Sequence, residues 1–126
     1  MITAILPPLI ERFPDFPEFA PRATKIKWAC EKRIRLDRNR CRVSAMYRPD
    51  AAHLLVRNHP SPIYCAYDPE WITSLSRWHH SSPFNPDCFD RHKTIEARYD
   101  WCVRHRLHRE AGMLKILITA EWQGNQ

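Results

Sequence analysis

A chain of 126 residues has the length of one compact domain, and with 44% of its residues apolar and 27% charged it can bury a core. That balance excludes a disordered chain, and the longest apolar runs, Ala4–Leu6 and Ile116–Ile118, fall far short of the roughly 20 residues of a membrane-spanning helix. A formal charge of +6 favours a polyanion or an acidic protein face as partner.

The charge is unevenly placed. Residues 1–21 carry −2, residues 22–57 carry +8, residues 58–90 carry −3 and residues 91–126 carry +3. Two basic blocks therefore flank an acidic middle, and a polyanion would be felt first by residues 22–57.

In chain order, residues 1–21 form a proline- and phenylalanine-rich arm ahead of a single basic domain over 22–126. The opening Met1–Pro8 has neither the charged leader nor the long apolar region of a signal peptide, which predicts a cytoplasmic location. Prolines at 7, 8, 14, 17 and 21 predict an extended arm, and Phe13, Phe16 and Phe19 between them are expected to dock on the domain. From Lys25 to Tyr47 apolar residues alternate with polar ones, which predicts strands and a basic β-hairpin over 32–47 turning at Asp37–Arg40; a helix over 22–33 is the alternative. Pro49-Asp50 ahead of Ala51–Val56 predicts a short helix capped by Asp50.

A strand is expected near 62–67. Asp68-Pro69-Glu70 then reads as a helix start, with Trp71, Ile72, Leu75 and Trp78 on one buried face. Asn85-Pro86-Asp87 repeats that signal and opens the longest helix, near 86–111, which Gly112 ends; Met113–Trp122 is the final strand. The result is an α+β domain with two to three helices.

Cys30, Cys41, Cys65, Cys88 and Cys102 are odd in number and contain no CxxC pair, so free and mostly buried thiols are expected. His79, His80, Cys88 and His92 are the candidate zinc ligands, across the turn at 81–85. Extending that set to Cys102 fails, because along one helix Cys88 and Cys102 are roughly 20 Å apart. His79-His80 with Asn85 and His92 also carries the residue types of metal nucleases in which His, Asn and His cooperate. Here, however, the first histidines close a helix rather than a hairpin, so a metal-dependent hydrolase ranks third among the functions. The chain has two glycines and no glycine-rich phosphate loop, which argues against nucleotide-dependent enzymes.

The leading expectation is a non-enzymatic, cofactor-free protein that engages nucleic acid or a nucleoprotein complex. On the hairpin, Arg33, Arg35, Arg40 and Arg42 would form one exposed basic strip. On the long helix, Trp101 lies opposite the apolar stripe and is ringed by Arg98, Arg104, His105 and His108, an arrangement that fits base stacking if the indole is exposed and core packing if it is covered. The rival expectation is a small inhibitor or adaptor that binds an acidic protein face, anchored by the Phe/Pro arm and exposed tryptophans.

Overall fold

The computed structural model describes residues 6–124. Five helices and a two-stranded antiparallel ribbon are found among the described residues, an α+β domain. The order is α1 (Leu9–Arg12), α2 (Arg22–Leu36), β1 (Asp50–His53), β2 (Ile72–Leu75), α3 (Arg77–His80), α4 (Ile95–Arg104) and α5 (His108–Gly124), with single 3-10 turns at Pro69–Trp71 and Phe89–Arg91.

Several local expectations are corrected. The N-terminal half of the expected hairpin is helix: α2 starts directly after Pro21 and buries Ile26, Ala29 and Arg33, a helical rather than a period-two spacing. What remains of the hairpin is one antiparallel bridge, Arg40 with Tyr47. Asp50 caps no helix, because Arg77 and His80 hold its carboxylate (2.7 and 3.1 Å) while its backbone joins β1, paired with Leu75. The segment 62–67 is irregular: Pro60 and Pro62 supply no ladder donors, although Tyr64 and Ala66 still reach the core.

Asp68 does accept from the Glu70 amide at 3.0 Å with Pro69 in the first helical position, but the helix it opens is a single 3-10 turn. The β-branched Ile72 and Thr73 then enter β2 opposite His53 and Ala52.

The long helix expected over 86–111 is interrupted twice. Asn85 makes a side-chain turn, its Oδ1 accepting from the Asp87 amide at 3.0 Å, and the true cap is Thr94, whose hydroxyl accepts from the Ala97 amide at 3.0 Å. At the far end Arg106 adopts φ 60, with Leu107 N–H bonding Cys102 O at 2.8 Å and Arg106 N–H bonding Val103 O at 3.1 Å. This is a Schellman ending with arginine in the place glycine usually fills. The apolar run after it is helix α5, not a strand, and buries Ala111, Met113, Leu114 and Leu117.

The arm docks on the domain through Phe13 and Phe16 but not through Phe19, which is 96% exposed, and it is not fully extended since it contains α1. Phe13 and Phe16 meet the Trp28 ring edge-on at 5.8 and 5.2 Å, and Arg12 forms a fork with Asp68 (2.6 and 3.2 Å). All five cysteines are free. Among the described residues no helix is long and apolar enough to cross a membrane.

α2 packs on the ribbon, α4 on α5, and one buried carboxylate ties α5 to the rest. Glu110 is 0% exposed; its oxygens accept from Arg42 at 3.1 and 3.2 Å and from the Thr73 hydroxyl at 2.6 Å, with Arg109 at 3.4 Å. Arg109 in turn donates to the carbonyls of Glu70 and Ile72 (2.6 and 2.8 Å). Burial alone would raise the Glu110 pKa, but the Arg42 bonds, the Arg109 charge and Thr73 outweigh it and hold the carboxyl at about 2.

Two outcomes follow. Because the folded pKa lies below the unfolded value, the stability Glu110 contributes is complete above about pH 4.5 and is lost as pH falls toward 2. Glu110→Gln should cost about 3–5 kcal/mol at neutral pH and flatten that acid limb in urea titrations; an unchanged midpoint would show the network to be incidental. Gly112 lies within α5 with open space around its missing Cβ, so Gly112→Ala should raise stability by about 0.5–1 kcal/mol; destabilisation would mean the helix does break there.

Candidate nucleic-acid interface

The four arginines expected in one strip divide between structure and surface. Arg33 is buried, bonded to Asp37 (3.0 and 3.2 Å) and 4.0 Å from Glu70. Arg42 is spent on Glu110. Arg35 and Arg40 are exposed, as is part of Arg42, but with Arg33 buried and Arg42 paired to Glu110 the four do not form one free strip.

The Trp101 constellation is corrected as well. Trp101 is 0% exposed, its Nε1 donates to Asp87 O at 2.7 Å, and its ring packs against Phe89 (5.2 Å) and His105 (4.1 Å). It is a core residue, covered by Phe89 and His105, and no base can reach it. Arg98 is buried too, donating to the carbonyls of Leu54 and His92 at 2.8 Å each. Arg104 is exposed but forks onto Asp87 (2.8 and 3.3 Å), and with the His92 bond at 2.8 Å it holds the Asp87 carboxyl at about 2. His105 is half-buried, its Nε2 without a hydrogen bond but 4.0 Å from the Asp87 carboxylate, and desolvation, then the neighbouring His79 and Arg104, keep its pKa below the ordinary histidine value. His108 is exposed at the start of α5.

The candidate metal ligands do not converge. His79 meets the Ser76 hydroxyl (3.1 Å), His80 bridges Asp50 and Asp90 (3.1 and 3.3 Å), His92 is on Asp87, and Cys88 is buried. Among the described residues no three His, Cys, Asp or Glu side chains are grouped to hold a metal ion, so His79, His80, Cys88 and His92 are not gathered into one ligand set.

A different basic site is assembled where α2 ends. Residues 38–48 form a glycine-free loop in which Arg38, Asn39, Ala45 and Arg48 all have φ between 57 and 63, the left-handed region that costs non-glycine residues roughly 1–2 kcal/mol each. Hydrogen bonds hold that conformation: Asn39 N–H to Ile34 O (2.9 Å), Arg48 N–H to Asn39 O (3.2 Å), Ala45 N–H to Cys41 O (2.9 Å) and Cys41 N–H to Met46 O (2.8 Å). The buried Cys41 thiol accepts from the Val43 and Ser44 amides at 3.4 Å each, which lowers its pKa against the upward push of burial. Arg42 anchors the loop twice, through its N–H to Ser74 O (2.8 Å) and through its guanidinium to Glu110.

The backbone bonds Arg38 N–H to Arg35 O (3.0 Å) and Arg48 N–H to Asn39 O (3.2 Å) bring three arginines to one end of α2. Among the described residues Arg35, Arg38 and Arg48 have no carboxylate partner, and all three are exposed. Beside them Arg40 lies over the Tyr47 ring, 4.2 Å from its centroid, and bonds its hydroxyl. Sequence reasoning passed over Arg38, Tyr47 and Arg48. The signal available was a run of arginines around Asn39, a residue that tolerates left-handed backbone, with an aromatic at its closing end.

A second surface lies on the 77–93 segment. Phe84 is 83% exposed and Trp78, expected in the core, is 50% exposed. Arg91 clamps the Phe84 loop by donating to the carbonyls of Asn85 and Pro83 at 2.9 Å each, beside an open depression lined by Ser81, Ser82 and Lys93.

Relief of the loop strain is measurable. Ala45→Gly should stabilise the protein by about 0.5–1 kcal/mol in thermal unfolding, the left-handed penalty exceeding glycine's entropic cost; a loss of stability would show that the Ala45 methyl is needed.

Comparison of the chain with known protein families, with curated proteins and with solved structures finds no match.

Proposed function

We propose that the protein binds nucleic acid through the end of α2 and the loop that follows it, with Arg35, Arg38 and Arg48 as phosphate contacts. The observation that carries this reading is that three exposed arginines without carboxylate partners, among the described residues, sit close along the backbone, Arg35 in the last turn of α2 and Arg38 and Arg48 in the strained loop after it. Guanidinium groups bind phosphate bidentately and are weakly hydrated, so arginines left unpaired on a rigid support favour phosphate. Rigidity matters because the loop loses little conformational entropy on binding. The +8 charge of residues 22–57 adds long-range steering toward a polyanion.

A second reading is favoured by one observation, the clamped and exposed Phe84 with Trp78 nearby, which has the character of a pre-organised anchor for a protein partner.

Replacing Arg35, Arg38 and Arg48 together by Gln should lower the salt slope of nucleic-acid binding by about 2–3 while leaving the thermal midpoint within a degree or two, since none of the three makes an internal ion pair. Phe84→Ala should leave that binding unchanged. Absence of wild-type binding at low salt would end the nucleic-acid reading and leave the Phe84 surface as the interface.

A further inference from the structure

We infer that this site, taken as a nucleic-acid interface as proposed above, selects single strands, with Tyr47 as the stacking platform for an unpaired base. Tyr47 is 63% exposed, although nothing in its ring chemistry requires water. Its orientation is nonetheless fixed. The Arg40 guanidinium lies against one face of the ring and bonds the phenol oxygen, while the bridge between Arg40 and Tyr47 sets the backbone beneath both. With one face under a cation, the exposed area belongs to the other face and the ring edge. A fixed aromatic face beside exposed arginines is the arrangement that stacks a base and holds its phosphates. Met46, 60% exposed beside it, adds a soft apolar rim.

Duplex binding fits the same surface poorly. A duplex keeps the faces of its bases stacked inside and is read by a helix or two-stranded ribbon placed in the major groove. Here α2 gives a groove little to read: its Ile26, Ala29 and Arg33 face the core, Trp28 is covered by Phe13 and Phe16, and its exposed face carries the carboxylate of Glu31, paired with Lys27 at 4.0 Å. The two-stranded ribbon is equally committed, every residue of β2 being buried. What projects is the loop, and a loop that presents an aromatic face has use only for a base already unstacked.

The test compares a fluorescently labelled single-stranded oligonucleotide with the duplex formed by annealing its complement, at one low salt concentration, by anisotropy. Wild type should bind the single strand more tightly. Tyr47→Ala and Tyr47→Leu should each weaken single-strand binding about 5- to 100-fold and leave duplex binding unchanged, whereas Tyr47→Phe, which keeps the ring and loses only the hydroxyl, should bind within a few-fold of wild type. Equal affinity for strand and duplex, with neither Tyr47→Ala nor Tyr47→Leu having an effect, overturns the stacking inference and leaves the phosphate-binding reading intact. Failure of wild type to bind either form overturns both.

Discussion

The buried carboxylate of Glu110 is the constraint on which the rest of the molecule depends. An ionised group in the interior is tolerated only when its lone pairs and charge are matched, and here Arg42, Thr73 and Arg109 supply the match from three separate stretches of chain. Those partners decide what is joined. Thr73 brings in the buried strand β2, Arg109 fastens the start of α5 to the backbone on either side of Trp71, and Arg42 draws in the loop after α2. Apolar burial along α5 and around Trp71 and Trp101 provides most of the driving force. It does not by itself specify where the loop sits; the charge-assisted bonds of Arg42 do.

This gives the strained loop its explanation. Four non-glycine residues in left-handed backbone would relax if the segment were free. Because Arg42 is pinned between the two outward-facing portions of the loop, the strain is retained, and Arg38, Arg40 and Arg48 are presented in fixed positions. The positive charge of the chain thus has two uses. Arg12, Arg33, Arg42, Arg98 and Arg109 are consumed by carboxylates or backbone carbonyls, while Arg35, Arg38 and Arg48 are left outside. Net charge counts both kinds alike; only the structure separates them.

The same distinction explains what was legible in the sequence. The α+β class holds although its strands moved: Asp50–His53 and Ile72–Leu75, both expected as helix, form the ribbon, while the docking of Phe13 and Phe16 follows from the amount of apolar surface in the arm. Asp68-Pro69 marked a true cap, but capping chemistry cannot say whether one turn or three will follow. Apolar runs misled at both ends: Lys25–Leu36 has incidental period-two alternation inside a helix, and Met113–Trp122 lacks a period that distinguishes strand from buried helix. Arg106 hid a helix ending because the usual signal there is glycine. Among candidate site residues, Trp101 illustrates the general difficulty. Its cationic neighbours in sequence suggested an exposed platform, but Phe89, Asp87 and His105 cover it from segments whose placement no helical wheel contains.

The most direct test of the account is residue-level amide hydrogen exchange of the intact protein, alone and with a saturating single-stranded oligonucleotide at low salt. Added protection is expected at residues 35–48, with the Glu110-linked start of α5 already slow to exchange in the free protein. Protection centred instead on residues 77–91, or none anywhere, would contradict the account.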